Sequence, residues 1–172
     1  MNKDKMTDMI ETKRLVLFPY TKDGIALFNA DLPLFEKEYG VVYRGEELDH
    51  LLVGFLKKLE KEIADNEDNY LFFTEFLIVL KETDHVIGSI DFKYVPQDGV
   101  TEIGYGMNHA YMGHGYMTEA LGAFLDLGKT LGIKSVRADT LKDNIKSQNV
   151  LKRCGFRFVG EDGNLWWEKT LE

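Results

Sequence analysis

The hydrophobic period of the chain changes at Tyr70, and that change limits the folds open to it. Before it, Leu48, Leu51, Leu52, Phe55, Leu56, Leu59 and Ile63 form one wide apolar stripe at helical spacing, with Lys57, Lys58, Glu60, Lys61 and Glu62 on the other face. After it, residues 71–80, 86–95 and 101–108 are rich in aromatic and β-branched side chains and read as strands. Glu82-Thr83-Asp84-His85 and Pro96-Gln97-Asp98-Gly99 supply short turns between them, so the three should form an antiparallel meander.

The flanks complete the pattern. Residues 14–18 read as a first strand closed by Pro19, and a short helix is expected near 22–30. A helix over 117–131 puts Ala120, Leu121, Phe124, Gly128 and Leu131 on one face and stops at Gly132. A strand over 136–140, a helix over 144–153 ending at Gly155, and strands over 156–160 and 165–169 around Asp162-Gly163-Asn164 follow. The order β-α-α-β-β-β-α-β-α-β-β predicts an α/β (α+β) fold, a mixed sheet with helices on both faces. At 172 residues, one domain over 1–172 is expected.

Charge and cysteine usage narrow the partners. A net charge of −8 argues against a nucleic-acid partner and is compatible with a cationic acceptor such as an amine. No apolar run approaches the roughly 20 residues that span a bilayer, and residues 1–8 lack a signal-peptide core, so no membrane partner is expected. Cys154, the single cysteine, cannot form an internal disulfide, which predicts a cytoplasmic protein.

The stretch from Asn108 to Ala120 carries the chemistry. It sets Gly113-His114-Gly115 between a strand and an amphipathic helix, where backbone N–H groups converge on a phosphate, because the first helix amides have no intrahelical partner. It is not a P-loop, since no Gly-Lys-Ser/Thr follows. Nor is it a dinucleotide fingerprint: counting from Gly104-Tyr105-Gly106, the sixth position is His109. Amides from Gly113 to Met117 form the candidate cradle, with a plain strand-to-helix turn as the alternative.

Met112-Gly113-His114-Gly115-Tyr116-Met117 resembles motif A (Q/R-x-x-G-x-G/A) of the GNAT superfamily of acetyl-CoA-dependent N-acetyltransferases, with Met112 and Met117 at the two outer positions. Continuing through Thr118-Glu119-Ala120, it is similar to the ribosomal-protein N-terminal acetyltransferase branch (RimJ/RimL-like). Glu11-Thr12-Lys13-Arg14-Leu15-Val16-Leu17, Glu102-Ile103-Gly104-Tyr105 and Asn144-x-x-Ser147-x-x-Val150-Leu151-x-x-x-Gly155-Phe156 match that branch in order. The resemblance implies a mostly antiparallel sheet of about seven strands with about four helices, in which strands four and five run parallel and splay apart for the pantetheine arm of coenzyme A. It further implies acetyl-CoA as cofactor, with the pyrophosphate at Met112, Gly113, His114, Gly115, Tyr116, Met117 and Thr118. A backbone N–H near Met107 or Asn108 would polarise the thioester carbonyl, and Asn144 would bond the cofactor arm besides capping its helix. A homodimer is a further implication, and no metal ligand is assigned.

The chemistry so implied is attack of a neutral amine on a thioester. Deprotonating a lysine of pKa ~10.4 at pH 7 costs about 4.6 kcal/mol, an α-amine near ~7.8 only about 1. An N-terminal α-amine therefore needs little help beyond a carboxylate or water chain, and the resemblance makes the α-amine of a peptide or protein the expected acceptor; a small-molecule amine (polyamine, amino acid derivative or antibiotic) is the first alternative and a non-catalytic acyl-CoA-binding module the second. Glu102 is the candidate base, with Asp91 and His109 as rivals and an exposed carboxylate or ion pair as its structural alternative. Many members of the superfamily use as acid a tyrosine seven residues after the asparagine; Leu151 stands there, and the branch points to the hydroxyl of Ser147 instead. Cys154 shares a helical face with Val150 and Leu151 and is expected to be buried, so transfer should be direct, in a ternary complex. Phe72, Phe73, Phe76, Phe92, Phe124, Phe156 and Phe158 are expected in the core, and one of Trp166 and Trp167 should face in, the other out. Glu60, Glu62, Asp65, Glu67 and Asp68 read as a solvated helix end rather than the mouth of an acceptor site.

Overall fold

Among the described residues, 1–45 and 47–171 of a computed structural model, four of the five α-helices begin on a side chain that accepts from their own first turn. Thr21 caps α1 (Lys22–Ala30), Asp31 caps α2 (Leu32–Tyr39), Asp49 caps α3 (His50–Asp65) and Asn144 caps α5 (Ile145–Arg153). Helix α4 (Tyr116–Thr130) starts instead from Gly115, at φ 79° and with no side-chain cap. Its first amides are left for another partner.

The strands are β1 (Ile10–Glu11), β2 (Leu15–Pro19), β3 (Val42–Tyr43), β4 (Glu75–Leu80), β5 (His85–Phe92), β6 (Val100–Met107), β7 (Ser135–Thr140), β8 (Arg157–Asp162) and β9 (Asn164–Thr170). They line up as β1-β2-β4-β5-β6-β7-β9-β8, with β3 parallel to the start of β5. The meander is present as β4-β5-β6. Strands β6 and β7 are the parallel pair, joined through the crossover helix α4, and they pair only from Val100↔Ser135 to Glu102↔Arg137. Past that point β6 runs on to Met107 and β7 to Thr140 without pairing to each other, and a gap opens in the sheet.

Alternation along the strands divides the core into two layers. Phe76, Ile78, Ile90, Phe92 and Ile103 pack under Ala120, Leu121 and Phe124 of α4. Leu77, Val79, Val16 and Phe18 face the other way, against Ile25, Phe28, Phe35, Leu56, Leu59 and Ile63 of α1, α2 and α3.

Several local expectations shift. Nine strands among the described residues replace about seven, because β1 and β3 are two residues long and too short to show a period. Helix α2 is separate from α1, since Asp31 closes the first and caps the second and a proline sits in the new first turn. The strand expected from residue 71 starts at Glu75, after a 3-10 turn over Glu67–Phe72. Phe158 is 54% exposed, because it lies on the edge strand β8 and packs only its edge on Trp167. Trp167 is the inward tryptophan and Trp166 is half-buried.

Candidate active site

The uncapped start of α4 lies at one end of the gap. Gly113 and Gly115 both hold positive φ, 83° and 79°, the left-handed backbone that lets successive N–H groups of a loop turn to one side. Intrahelical bonding resumes at Glu119, whose N–H donates to Gly115 at 3.1 Å. Thr118, in the same turn, has a buried Oγ1 with no hydrogen-bond partner. Gly113, His114 and Gly115 are exposed, Met112, Tyr116 and Thr118 half-buried, and Met117 is buried under the sheet, which accommodates its bulk.

A clamp from the other end of the chain holds this loop. Arg14 donates through Nη1 to the His114 carbonyl at 2.9 Å and through Nε to Glu119 at 2.6 Å, while its Cζ lies 4.6 Å from the centre of the Tyr116 ring. Glu119 also accepts from the Arg14 N–H at 2.8 Å and the Thr12 hydroxyl at 2.6 Å. Burial pushes the Glu119 carboxyl up, but the bonds from Thr12 and Arg14 outweigh it and hold the group below its ordinary value. The ring of His114 stacks on Tyr116. A cationic side chain therefore stands at a loop that has none in its central segment.

A cavity of about 230 Å³ opens at the other end of the gap, on the α3 side of the sheet. Tyr20, Tyr43, Glu75, Ser89 and Asp91 line it, and Tyr105, Gly106, Met107 and Asn108 of the β6 end close one wall. Glu75 and Asp91 are register partners on β4 and β5. Burial raises the Asp91 carboxyl, opposed by Lys93 at 3.0 Å. Lys93 lies across Gly104, where a Cβ would come within 2.4 Å of its Nζ.

Glu102 is half-buried on the same face of β6 as Gly104 and does not line the cavity. Burial first, then the charge of Asp139, raises its carboxyl. His109 is exposed in a 3-10 turn over His109–Tyr111. Asn108 is engaged at three atoms: its N–H donates to Ile87, its Oδ1 accepts from Ala110 N–H and its Nδ2 donates to Gly45, each at 2.9 Å. Alternation of the antiparallel ladder then turns the Met107 N–H toward the gap. On the far side, Asn144 is exposed with Oδ1 on the Ser147 N–H at 3.1 Å, and Ser147 Oγ lies 2.7 Å from the Tyr105 hydroxyl. Cys154 is half-buried, donates to the Thr118 carbonyl at 3.5 Å, and has its thiol pushed up by burial against the pull of Lys169.

An uncapped helix start and a carboxylate-lined cavity thus meet at one parting of the sheet. The family described as "Acetyltransferase (GNAT) domain" matches residues 14–157. The chain belongs to this family. An uncharacterized N-acetyltransferase of Bacillus subtilis (strain 168), YnaD, is 32% identical over 102 residues, which are 55% of this chain and 60% of that protein. The chain therefore spans 60% of that relative's length, under two thirds of it. The ribosomal-protein-S5-alanine acetyltransferase of Vibrio fischeri superposes with a TM-score of 0.71 at 17% identity, over 95% of this chain and 97% of that one. RimJ of Mycobacterium smegmatis, solved in complex with CoA-disulfide, gives 0.64 at 20% identity, over 91% and 81%. Both share the GNAT fold seen here.

The α4 start fits the pyrophosphate of coenzyme A. The two left-handed glycines, the uncapped amides and the partnerless Thr118 hydroxyl are what a bound anion would satisfy. Four residues escaped the sequence reading. Arg14 and Glu119 were visible as motif letters without a contact between them, Glu75 as a charge inside an apolar strand, and Tyr105 as part of a strand pattern. The carboxylates at the end of α3 stay outside the cavity: Glu60 accepts from Asn29, and Glu62, Asp65 and Glu67 pair with Lys58, Lys61 and Lys22.

Proposed function

We propose that this chain transfers the acetyl group of acetyl-CoA to a primary amine by direct attack in a ternary complex, and that the acceptor is the α-amine of a peptide or protein. The observation that carries it is the parting of β6 and β7, with an anion cradle at one end and a carboxylate-lined cavity at the other. Acetyl-CoA supplies an activated thioester; everything else is work for the chain. Amides from Gly113 to Thr118 hold the pyrophosphate, with Arg14 keeping the loop in shape. The Met107 N–H polarises the carbonyl, and the free Nδ2 of Asn144 bonds the cofactor arm.

The amine enters the cavity and loses its proton to Asp91 in the wall or, through water, to Glu102 outside it. Both are raised by burial, which brings them closer to an amine's pKa and makes each a better proton acceptor. An α-amine needs about 1 kcal/mol to reach its neutral form at pH 7, against about 4.6 for lysine. Ser147 faces the leaving group, and Cys154, with its raised thiol, takes no part.

A second reading, transfer to a small cationic amine, is favoured by the cavity's bounded size and its two carboxylates. Turnover on a panel of free N-terminal peptides, N-blocked lysine peptides and polyamines separates the readings. Peptides with a free α-amine are expected to turn over best. Turnover of polyamines alone would select the second reading, and coenzyme A binding with no turnover on any acceptor would reduce the chain to a binding module. A single domain over 1–172 and a homodimer belong to the same proposal; limited proteolysis and sizing in solution check them.

A further inference from the structure

The carboxylate-lined cavity already holds one cation of the chain's own. Lys93 follows directly on β5, two positions after Asp91, and both side chains line the cavity. The Lys93 Nζ lies 3.0 Å from one Asp91 oxygen and 3.2 Å from the other. The backbone fixes the base of this side chain, since the Lys93 N–H donates to the Glu102 carbonyl at 2.8 Å. Its stem has room because β6 carries a glycine opposite Asp91: Gly104 is the register partner of Asp91, and a Cβ there would come within 2.4 Å of the Lys93 Cε and Nζ. Among the described residues that line the cavity, Glu75 and Asp91 are the anions and Lys93 is the one cation. Two carboxylates less one ammonium leave the wall with one net negative charge.

We propose that Lys93 selects the acceptor by charge: its ammonium engages Asp91 and leaves the cavity able to hold one further ammonium, so that the site takes a singly charged amine, such as the α-amine of a peptide, and rejects polyamines. This rests on the reading of the cavity as the acceptor site and decides between its two acceptor classes.

An ammonium that leaves water for a protein wall needs an opposite charge there. The first one is matched by the net charge of the wall. A second finds Asp91 already engaged and Lys93 beside it, and like charges repel more strongly against a wall of low dielectric than in bulk water. Discrimination then comes from a repulsive element against the wrong ligand rather than from added contacts to the right one. Gly104 belongs to the same device. Without a side chain there, the lysine lies along the sheet and reaches back to Asp91. Lys93 exchanges no proton with the acceptor; it sets how much positive charge the cavity admits.

The test reads a ratio. Values of kcat/KM are measured with a free N-terminal peptide and with spermidine for the wild type, Lys93→Met and Lys93→Arg, at low and at moderate salt. Both acceptors meet the same carboxylates, so a change in the basicity of Asp91 cancels in the ratio. The wild type is expected to prefer the peptide. Lys93→Met keeps the aliphatic stem over Gly104 and removes the charge, so it should raise the spermidine-to-peptide ratio by about tenfold, and the gain should shrink as salt screens it. Lys93→Arg keeps the charge and should hold the ratio within about twofold of the wild type. Calorimetry of spermidine on the protein loaded with coenzyme A makes the same comparison without turnover, and Lys93→Met should bind it about tenfold more tightly. An unchanged ratio and unchanged binding in Lys93→Met would overturn the proposal. So would an equal shift in Lys93→Arg, which would make shape rather than charge the cause, and so would a wild type that prefers spermidine. Should Lys93→Met fail to fold, Lys93→Gln takes its place under the same criteria. If the wild type acetylates no amine, the transfer reading fails, and the calorimetry still decides for or against the charge filter.

Discussion

The cradle and the cavity lie at two ends of one gap, yet they are built in opposite ways. The cradle is made of backbone in a short continuous segment, Gly113 to Thr118, and one distant clamp from Thr12 and Arg14 fixes it. The cavity is made of side chains from at least five separated segments, among them Tyr20, Tyr43, Leu52, Glu75, Asp91 and Met107. A phosphate needs amides and can be met by local geometry. An amine needs placed charge, which the sheet supplies by bringing Glu75 and Asp91 into register. The two ends should therefore fail independently.

The largest break in that independence test comes from the two carboxylates proposed to take the amine's proton, Asp91 in the cavity wall and Glu102 outside it. Asp91→Asn combined with Glu102→Gln is expected to lower kcat/KM by roughly 100-fold, the usual range for loss of a general base, while coenzyme A binding by calorimetry stays unchanged. The acid limb of kcat/KM in the wild type should lie above the ordinary carboxylate range, because burial raises both groups. Comparing the two single variants shows which carboxylate sets that limb. A matching loss of cofactor affinity would mean the two ends are one coupled site.

At the other end, Gly115→Val breaks the cradle. Gly115 holds φ 79°, and a β-branched residue there carries strain of about 2 kcal/mol, so coenzyme A should bind about 30-fold more weakly. Gly113→Ala should cost less, because its added Cβ meets open space and only the φ of 83° is strained. Calorimetry reads the affinities, and amine affinity measured through KM at saturating acetyl-CoA should hardly move.

That contrast also explains what the sequence revealed. The cradle was legible because its signal is local: glycines between a strand pattern and a helical stripe, with the missing cap following from Gly115 itself. The meander and α5 were legible for the same reason, whereas the parallel pair came only from the family resemblance, since strand direction across a crossover leaves no local signal. Asp91 was recognisable as a carboxylate, but nothing along the chain showed that it shares a cavity with Glu75 and Tyr20, since that depends on strand register and on where α3 packs. Tyr105 and Ser147 looked like separate motif letters because they stand forty-two positions apart. Helix α2 was hidden by Asp31, whose two roles leave no gap in the pattern.

The clamp is the next test, since it links the cradle to the amino-terminal strands. Arg14→Ala leaves the largely buried Glu119 carboxylate without its guanidinium and should cost about 2 kcal/mol in unfolding free energy, measured by denaturant titration. The pH dependence has a definite sign. Glu119 sits below its ordinary value in the folded protein, so its stabilisation is complete above the unfolded pKa of ~4.3 and is lost as pH falls through the lower folded value. Glu119→Gln should remove that part of the acid sensitivity, seen as a flatter midpoint-against-pH curve below pH ~4.5. An unchanged curve would show that the clamp carries no net charge stabilisation.

Cys154 gives the smallest effect and the sharpest limit on mechanism. Its thiol is half-buried beside α4, donates to the Thr118 carbonyl in the cradle's own turn, and is held in its neutral form by burial. A thiol is nucleophilic as thiolate, so this environment disfavours an acetyl-cysteine intermediate. Cys154→Ala should leave turnover within about twofold and cost about 1 kcal/mol of stability, the loss expected for a small packed group with a weak hydrogen bond. Mass spectrometry of the protein quenched during turnover should find no added acetyl group. An adduct on Cys154 would replace direct transfer with a two-step route. It would also make the cradle's first turn part of the chemistry rather than only its anchor.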